Sequence, residues 1–167
     1  MCAIFGFMEY GNKLSKAQVN ILVNVLGKHC EIRGAHASGI SYINKGELIT
    51  VKAPKPASKM KWRVPKETKC VMGHTRYATQ GDKKDNYNNH PFPSTDNSFA
   101  LAHNGVLWND KSLKLSENLP ETEIKTDSYV AVQLIEKAIS ENKNMIDAFK
   151  YTAETVEGSF KIGRAHV

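Results

Sequence analysis

The chain has 167 residues, 41% hydrophobic and 24% charged, with 23 basic and 17 acidic side chains for a net charge of +6. That usage excludes a disordered chain, favours one domain with a sizeable core, and permits contact with anions without indicating nucleic-acid binding. No apolar run approaches a membrane span, the N-terminus lacks a basic signal region, and three cysteines without a CxxC pair exclude a disulfide or cysteine–zinc scaffold, so a reducing cytoplasm is the expected compartment.

Cys2–Met8 is a short apolar run ended by Tyr10-Gly11-Asn12, which predicts a buried strand and a turn. Ser15-Lys16-Ala17-Gln18 has the form of a capping box, and Val19, Leu22, Val23 and Leu26 follow at helical spacing, predicting a helix to about Cys30. Ser38–Ile43 and Glu47–Val51 are rich in β-branched and aromatic residues and flank Asn44-Lys45-Gly46, which predicts a hairpin. Ala53–Lys69 carries Pro54, Pro56 and Pro65 and reads as a loop with a short helix. Cys70–Tyr77 is a strand ending in polar groups, and the Asn-, Asp- and Pro-rich segment Gln80–Ser98 is a long functional loop.

Phe99–His103 predicts a strand broken at Asn104-Gly105. Thr126-Asp127 opens a helix to about Glu141, a second helix runs from Asn144 to Val156, and Gly158–Ile162 begins a last strand. Residues Gly163-Arg164-Ala165-His166-Val167 neither complete that strand nor resemble a natural tail, so the ending reads as a truncation. No internal repeat or linker divides the chain. Strands and helices come in blocks rather than alternating, which favours an α+β arrangement of antiparallel sheets layered with helices.

Four positions carry chemistry. With Met1 removed, Cys2 bears its own α-amine, which titrates near about 8, close enough to a thiol at about 8.5 to take its proton. Nucleophile and base then share one residue. The alternative is a small buried residue after the start. Gly73-His74-Thr75-Arg76-Tyr77-Ala78-Thr79 puts a guanidinium at a strand end, where it suits a carboxylate or a surface ion pair. In His103-Asn104-Gly105, an Asn amide and a nearby backbone N–H make an oxyanion hole, or Asn-Gly makes a tight turn. Asp127 caps a helix or holds an ammonium. Taken together, the four make a site for an α-amino acid with a side-chain amide.

Met1-Cys2-Ala3-Ile4-Phe5-Gly6, Arg33-Gly34, Gly73–Thr79, Asn89-His90-Pro91, His103-Asn104-Gly105, Thr126-Asp127 and Glu157-Gly158-Ser159 occur in one order across nearly the whole chain. This ordered set resembles the class II glutamine amidotransferases, the N-terminal-cysteine branch of the Ntn hydrolases. Its form is closest to the glutaminase domains of glucosamine-6-phosphate synthases and phosphoribosylpyrophosphate amidotransferases. The resemblance implies a four-layer αββα sandwich over residues 1–167, incomplete at its C-terminal end. It implies Cys2 as nucleophile and, through its α-amine, as base, with Asn104 and Gly105 as the oxyanion hole. Arg76 would bind the glutamine α-carboxylate and Asp127 the α-amine. Tyr77, Thr79 and His90 would line or support the pocket, and Arg33 and Gly34 would belong to a loop against the nucleophile. The implied partners are glutamine and an ammonia-accepting synthase domain or subunit outside this chain. The resemblance allows a homo-oligomer and implies neither cofactor nor metal.

Three positions depart from the family pattern. Ala3 stands where the family has Gly, His36 stands near the place of an acidic residue in Arg33–Gly39, and Gln80 stands where sugar-specific relatives have His. Two other readings stay open. One is an Ntn hydrolase of another amide. The other is a catalytically impaired binding module, for which Lys55, Lys59, Lys61, Trp62, Arg63 and Lys66 mix charge and an aromatic ring as single-stranded nucleic acid requires.

Overall fold

A computed structural model describes residues 2–11 and 13–166, so Asn12 of the predicted turn lies outside the described residues. The apolar N-terminal run is β1 (Ala3–Met8), with Ala3 and Phe5 buried on alternate positions. Ser15 forms the full capping box with Gln18, its Oγ accepting from the Gln18 N–H at 3.3 Å and its N–H donating to Gln18 Oε1 at 2.8 Å. The box starts α1 (Lys16–Cys30), whose Val19, Val23 and Gly27 recur every fourth residue on the buried face. A Cβ on Gly27 would sit 2.3 Å from the Trp62 ring, so glycine is what lets that indole seat on the helix.

The neighbouring row of α1 is amide. Asn24 accepts from the Trp62 N–H at 3.1 Å, and Asn20 accepts from the Val64 N–H at 2.8 Å, tying segment 62–64 to the helix. Trp62 is 3% exposed and packs on Phe5 at 5.8 Å. A buried ring cannot stack on a base, so the nucleic-acid reading of the Lys55–Lys66 cluster fails. A 3-10 turn at Ala57–Lys59 supplies the short helix expected there.

The predicted hairpin is β2 (Ala37–Asn44) and β3 (Glu47–Ala53), turned by Lys45 and Gly46 at φ 52° and 84°, a two-residue primed turn matched to strand twist. β4 (Cys70–Arg76) completes a four-stranded antiparallel sheet in the order β1-β4-β2-β3. A second antiparallel sheet has the order β5-β6-β7, from β5 (Phe92–Pro93), β6 (Phe99–Leu107) and β7 (Gly158–His166). The remaining helices are α2 (Asp110–Ser116), α3 (Ser128–Ser140) and α4 (Met145–Thr155).

Strand alternation sorts these side chains into three apolar layers. Val71 of β4 joins Val19 and Val23 beneath α1, whereas Met72 meets Ala100 and Ala102 of β6 between the sheets. Phe99 and Leu101 point the other way, onto Val130, Leu134 and Ile135 of α3 and Ala148 of α4. The result is helix, sheet, sheet, helix: the four-layer αββα sandwich.

Three expectations need correcting. The strand at Phe99 runs through Asn104-Gly105 to Leu107 without turning, because β7 pairs alongside it from Phe99↔His166 to Leu107↔Gly158. The same pairing carries β7 past Ile162 to His166, so Gly163 lies within the strand; a Cβ there would stand 2.8 Å from Ile4, between the sheets. Helix α2 was not foreseen, being seven residues long with Leu113 as its buried position and Leu115 exposed.

Candidate active site

The candidate residues lie before the start of β1 (Cys2), at the end of β4 (Arg76), within β6 (Asn104 and Gly105) and at the start of α3 (Asp127). Pairing of Ala3 with Thr75 puts Cys2 beside the end of β4. The Cys2 sulfur accepts from the Tyr77 N–H at 3.3 Å, and the thiol lies 3.6 Å from the Tyr77 carbonyl oxygen as donor. Arg33 Nε donates to the Cys2 carbonyl at 3.1 Å. Backbone and guanidinium therefore fix both ends of the residue.

The loop carrying Arg33 fits because Gly34 has no side chain: a Cβ there would be 2.5 Å from the Arg76 carbonyl carbon. His36 then donates its backbone N–H to Arg76 O at 3.0 Å, and its Nδ1 accepts from the Ala78 N–H at 3.0 Å. Its ring stacks on Tyr77 at 4.7 Å. Burial, then the charges of Lys83 and Arg76, hold His36 below its ordinary pKa. Tyr77 is half-exposed and Thr79 exposed at the mouth of the loop.

Arg76 is 3% exposed. Its guanidinium donates to Asn89 Oδ1 at 2.7 Å, to the Gln80 carbonyl, and to the Gly81 carbonyl at 3.3 Å. All three acceptors are neutral, and among the described residues no carboxylate is ion-paired to it. Burial pushes its pKa down, against the opposing pull of Cys2, Asp127 and Asp82. The surface ion pair weighed from the sequence is therefore absent.

Asp127 is also buried, at 6% exposure, and sits at the N-cap position of α3 without capping it. Its Oδ2 instead accepts from the Leu107 N–H at 2.7 Å, across to the end of β6. Gln80 connects the two charged residues: its carbonyl takes Arg76, and its Oε1 accepts from the Asp127 N–H at 3.3 Å. Gln80 thus links Arg76 and Asp127, which do not pair with each other.

Asn104 is half-buried on β6, and among the described residues its side-chain amide has no hydrogen-bond partner. No hydrogen bond joins it to Cys2. Gly105 lies where a Cβ would be 1.8 Å from the Ser159 carbonyl, so the close approach of β7 demands glycine. Behind these residues stand three buried histidines. His74 Nε2 donates to His103 O at 3.1 Å, His103 Nδ1 bonds Ser128 Oγ at 2.8 Å, and His90 packs between His74 at 4.2 Å and Phe92 at 4.3 Å. Burial pushes His74 down to about 3 and His90 and His103 downward as well, so all three are uncharged at neutral pH. His90 is thus an uncharged ring buried against two others. Among the described residues, no group of three His, Cys, Asp or Glu could hold a metal ion.

Sequence reasoning missed the latch beneath Arg76. Asn88 accepts from the Lys125 N–H at 2.8 Å, and Asn86 donates to Lys52 O at 2.9 Å. Asn89 donates to Lys83 O at 2.9 Å while accepting from Arg76. Asparagine density in Gln80–Ser98 was the available signal. Two open clefts of about 880 and 900 Å³ lie elsewhere, beside α3 and beside α1, and neither is lined by Cys2, Arg76, Asn104 or Asp127. Among the described residues, no helix is long and apolar enough to cross a membrane.

No protein-family model matches the chain. It is 34% identical over 172 residues to the glutamine–fructose-6-phosphate aminotransferase (isomerizing) of Chlamydia trachomatis serovar D, covering 99% of this chain and 27% of that protein. It is 34% identical over 167 residues to the enzyme of the same name from Bacillus cereus, covering 98% and 26%. The chain thus spans about a quarter of the length of the curated relatives it matches. Among solved structures, glutamine phosphoribosylpyrophosphate amidotransferase from B. subtilis shares the fold at a TM-score of 0.67 and 23% identity, over 99% of this chain and 34% of that one. A second, described as the allosteric regulatory enzyme of purine biosynthesis, shares it at 0.69 and 24%, over 97% and 35%. Along nearly all its length the chain is thus similar to class II glutamine amidotransferases, and its αββα layers are the fold of their solved structures.

Proposed function

We propose that this chain hydrolyses the side-chain amide of glutamine and hands the ammonia to an acceptor domain or subunit outside residues 1–167. The observation that carries the reading is the pair of buried opposite charges, Arg76 and Asp127, bridged by Gln80 and left without ion-pair partners beside Cys2. A buried charge solvated only by dipoles is costly, and a zwitterionic ligand offsets both charges at once. An α-amino acid supplies a carboxylate for Arg76 and an ammonium for Asp127.

Removal of Met1 frees the Cys2 α-amine, which takes the thiol proton. The thiolate attacks the amide carbon and its oxygen becomes an oxyanion. The Asn104 amide, without a hydrogen-bond partner among the described residues, and the Gly105 N–H donate to that oxygen. The carbon–nitrogen bond breaks, the α-ammonium returns the proton, ammonia leaves, and water releases glutamate from the Cys2 thioester. Arg33 and Tyr77 hold Cys2, Thr79 stands at the mouth, and His90 backs the pocket.

Intact mass before and after a glutamine-analogue electrophile tests this reading. Loss of Met1 and one adduct that vanishes in Cys2→Ala is the expected result. A folded, Met1-free chain that takes no adduct and releases no ammonia from glutamine overturns it.

A further inference from the structure

We infer that Lys52 is a positioning residue of the Arg76 subsite, setting affinity for a ligand carboxylate through its hold on Asn89 and through its charge. The inference rests on the glutamine reading above.

Lys52 lies on β3, the edge strand of the first sheet, yet its side chain is turned inward. Its ammonium donates to Asn89 O at 2.6 Å, reaches Tyr87 O at 3.5 Å, and lies 5.0 Å over the Phe92 ring. Asn89 is the residue whose Oδ1 takes the Arg76 guanidinium at 2.7 Å. One asparagine therefore receives two cations, Lys52 at its backbone carbonyl and Arg76 at its side chain.

The arrangement closes on itself. Asn86 donates to the Lys52 carbonyl at 2.9 Å, Asn89 donates to Asn86 Oδ1 at 3.3 Å, and Lys52 Nζ donates back to Asn89 O. This ring fixes the Asn89 side chain and with it the direction of the guanidinium.

Among the described residues, no carboxylate is ion-paired to either cation. Burial, and then the charge of Arg76, push Lys52 down to about 8. A neutral amide would donate to the same carbonyls without a desolvation cost. Two like charges held near one another without an anion are relieved when an anion binds to one of them. The α-carboxylate of glutamine is that anion, and the Lys52 charge adds to the field it meets at Arg76.

Calorimetric titrations in a Cys2→Ala background test this, with L-glutamine and its α-methyl ester as ligands. Lys52→Met weakens L-glutamine by about tenfold and leaves the ester within about twofold, since the ester has no negative charge to lose. Lys52→Gln, which keeps a donor without the charge, weakens glutamine alike, and Lys52→Arg restores it. In the active chain, Lys52→Met raises KM for glutamine with kcat little changed, a split that general loosening does not produce. Equal weakening of both ligands, full affinity in Lys52→Gln, or no effect in Lys52→Met overturns the role of Lys52 alone. Failure of the Lys52 parent to bind glutamine overturns the glutamine reading and this inference with it.

Discussion

Three ion pairs hold charges of the helical layer between residues 117 and 150. Lys137 and Tyr151 both donate to Glu117 at 2.7 Å, Lys143 meets Glu141 at 3.0 Å, and Lys150 meets Asp147 at 3.8 Å. Among the described residues, these are all the ion pairs of the molecule. At the other end, Arg76, Lys52 and Asp127 are more deeply buried and make none. The helical layer places its charges in or near water, where pairing is cheap and worth little. The site keeps charges out of water and satisfies them with carbonyls, an asparagine, one backbone N–H and the Ser128 hydroxyl. A fold serving stability alone would pair or remove them, so the contrast supports the site proposed for a charged ligand.

The largest break in that contrast is expected from Arg76→Met. Losing a charge-assisted pair to the ligand carboxylate lowers kcat/KM for glutamine by about a hundredfold, roughly 3 kcal/mol. Steady-state kinetics with glutamine and with a neutral amide check it, because equal losses on both would assign Arg76 a structural role instead.

The next effect is on stability in acid. His74 and His90 are buried and uncharged, with pKa values below the ordinary 6.5. The unfolded chain therefore binds more protons below pH 6.5, and stability present above that pH is lost as pH falls. The expected slope is about 1.4 kcal/mol per pH unit per histidine, from pH 6.5 down towards 3 for His74. Denaturant melts of the chain and of His90→Phe between pH 7 and about 4.5 measure it, with a shallower slope in the variant. Parallel slopes would mean that His90 takes up a proton without unfolding.

The smallest effect belongs to the paired region. Glu117→Gln breaks the contact with Lys137 at the surface and costs about 0.5–1 kcal/mol, with glutamine kinetics unchanged. A change in KM there would mean that the two regions are coupled.

Much of the scaffold was legible because its signals are local. The Ser15–Gln18 capping box, the Asn44-Lys45-Gly46 turn and the Asn144 start of α4 each act within four residues, and each forms as read. The four-layer sandwich and the ordered motif from Cys2 to Asp127 were legible as a resemblance. Asn104-Gly105 was ambiguous because the same dipeptide serves a turn or a strand, and pairing with distant β7 decides between them. Lys52 had no signal at all. It lies 37 positions from Asn89 and looks like any lysine on an exposed edge strand.

The sequence by itself determined which residue types were available: a cysteine at position 2, an arginine at a strand end, an aspartate before a helix, asparagines in a long loop. Short-range periodicity and capping also determined most element boundaries, since those interactions close within one or two turns. Only the tertiary structure decided how the charges are used. Asp127 turns from its own helix to the Leu107 N–H, Arg76 finds neutral acceptors, and Lys52 folds inward onto Asn89. Those outcomes depend on burial and on contacts between residues 13 to 37 positions apart, which a linear pattern does not encode.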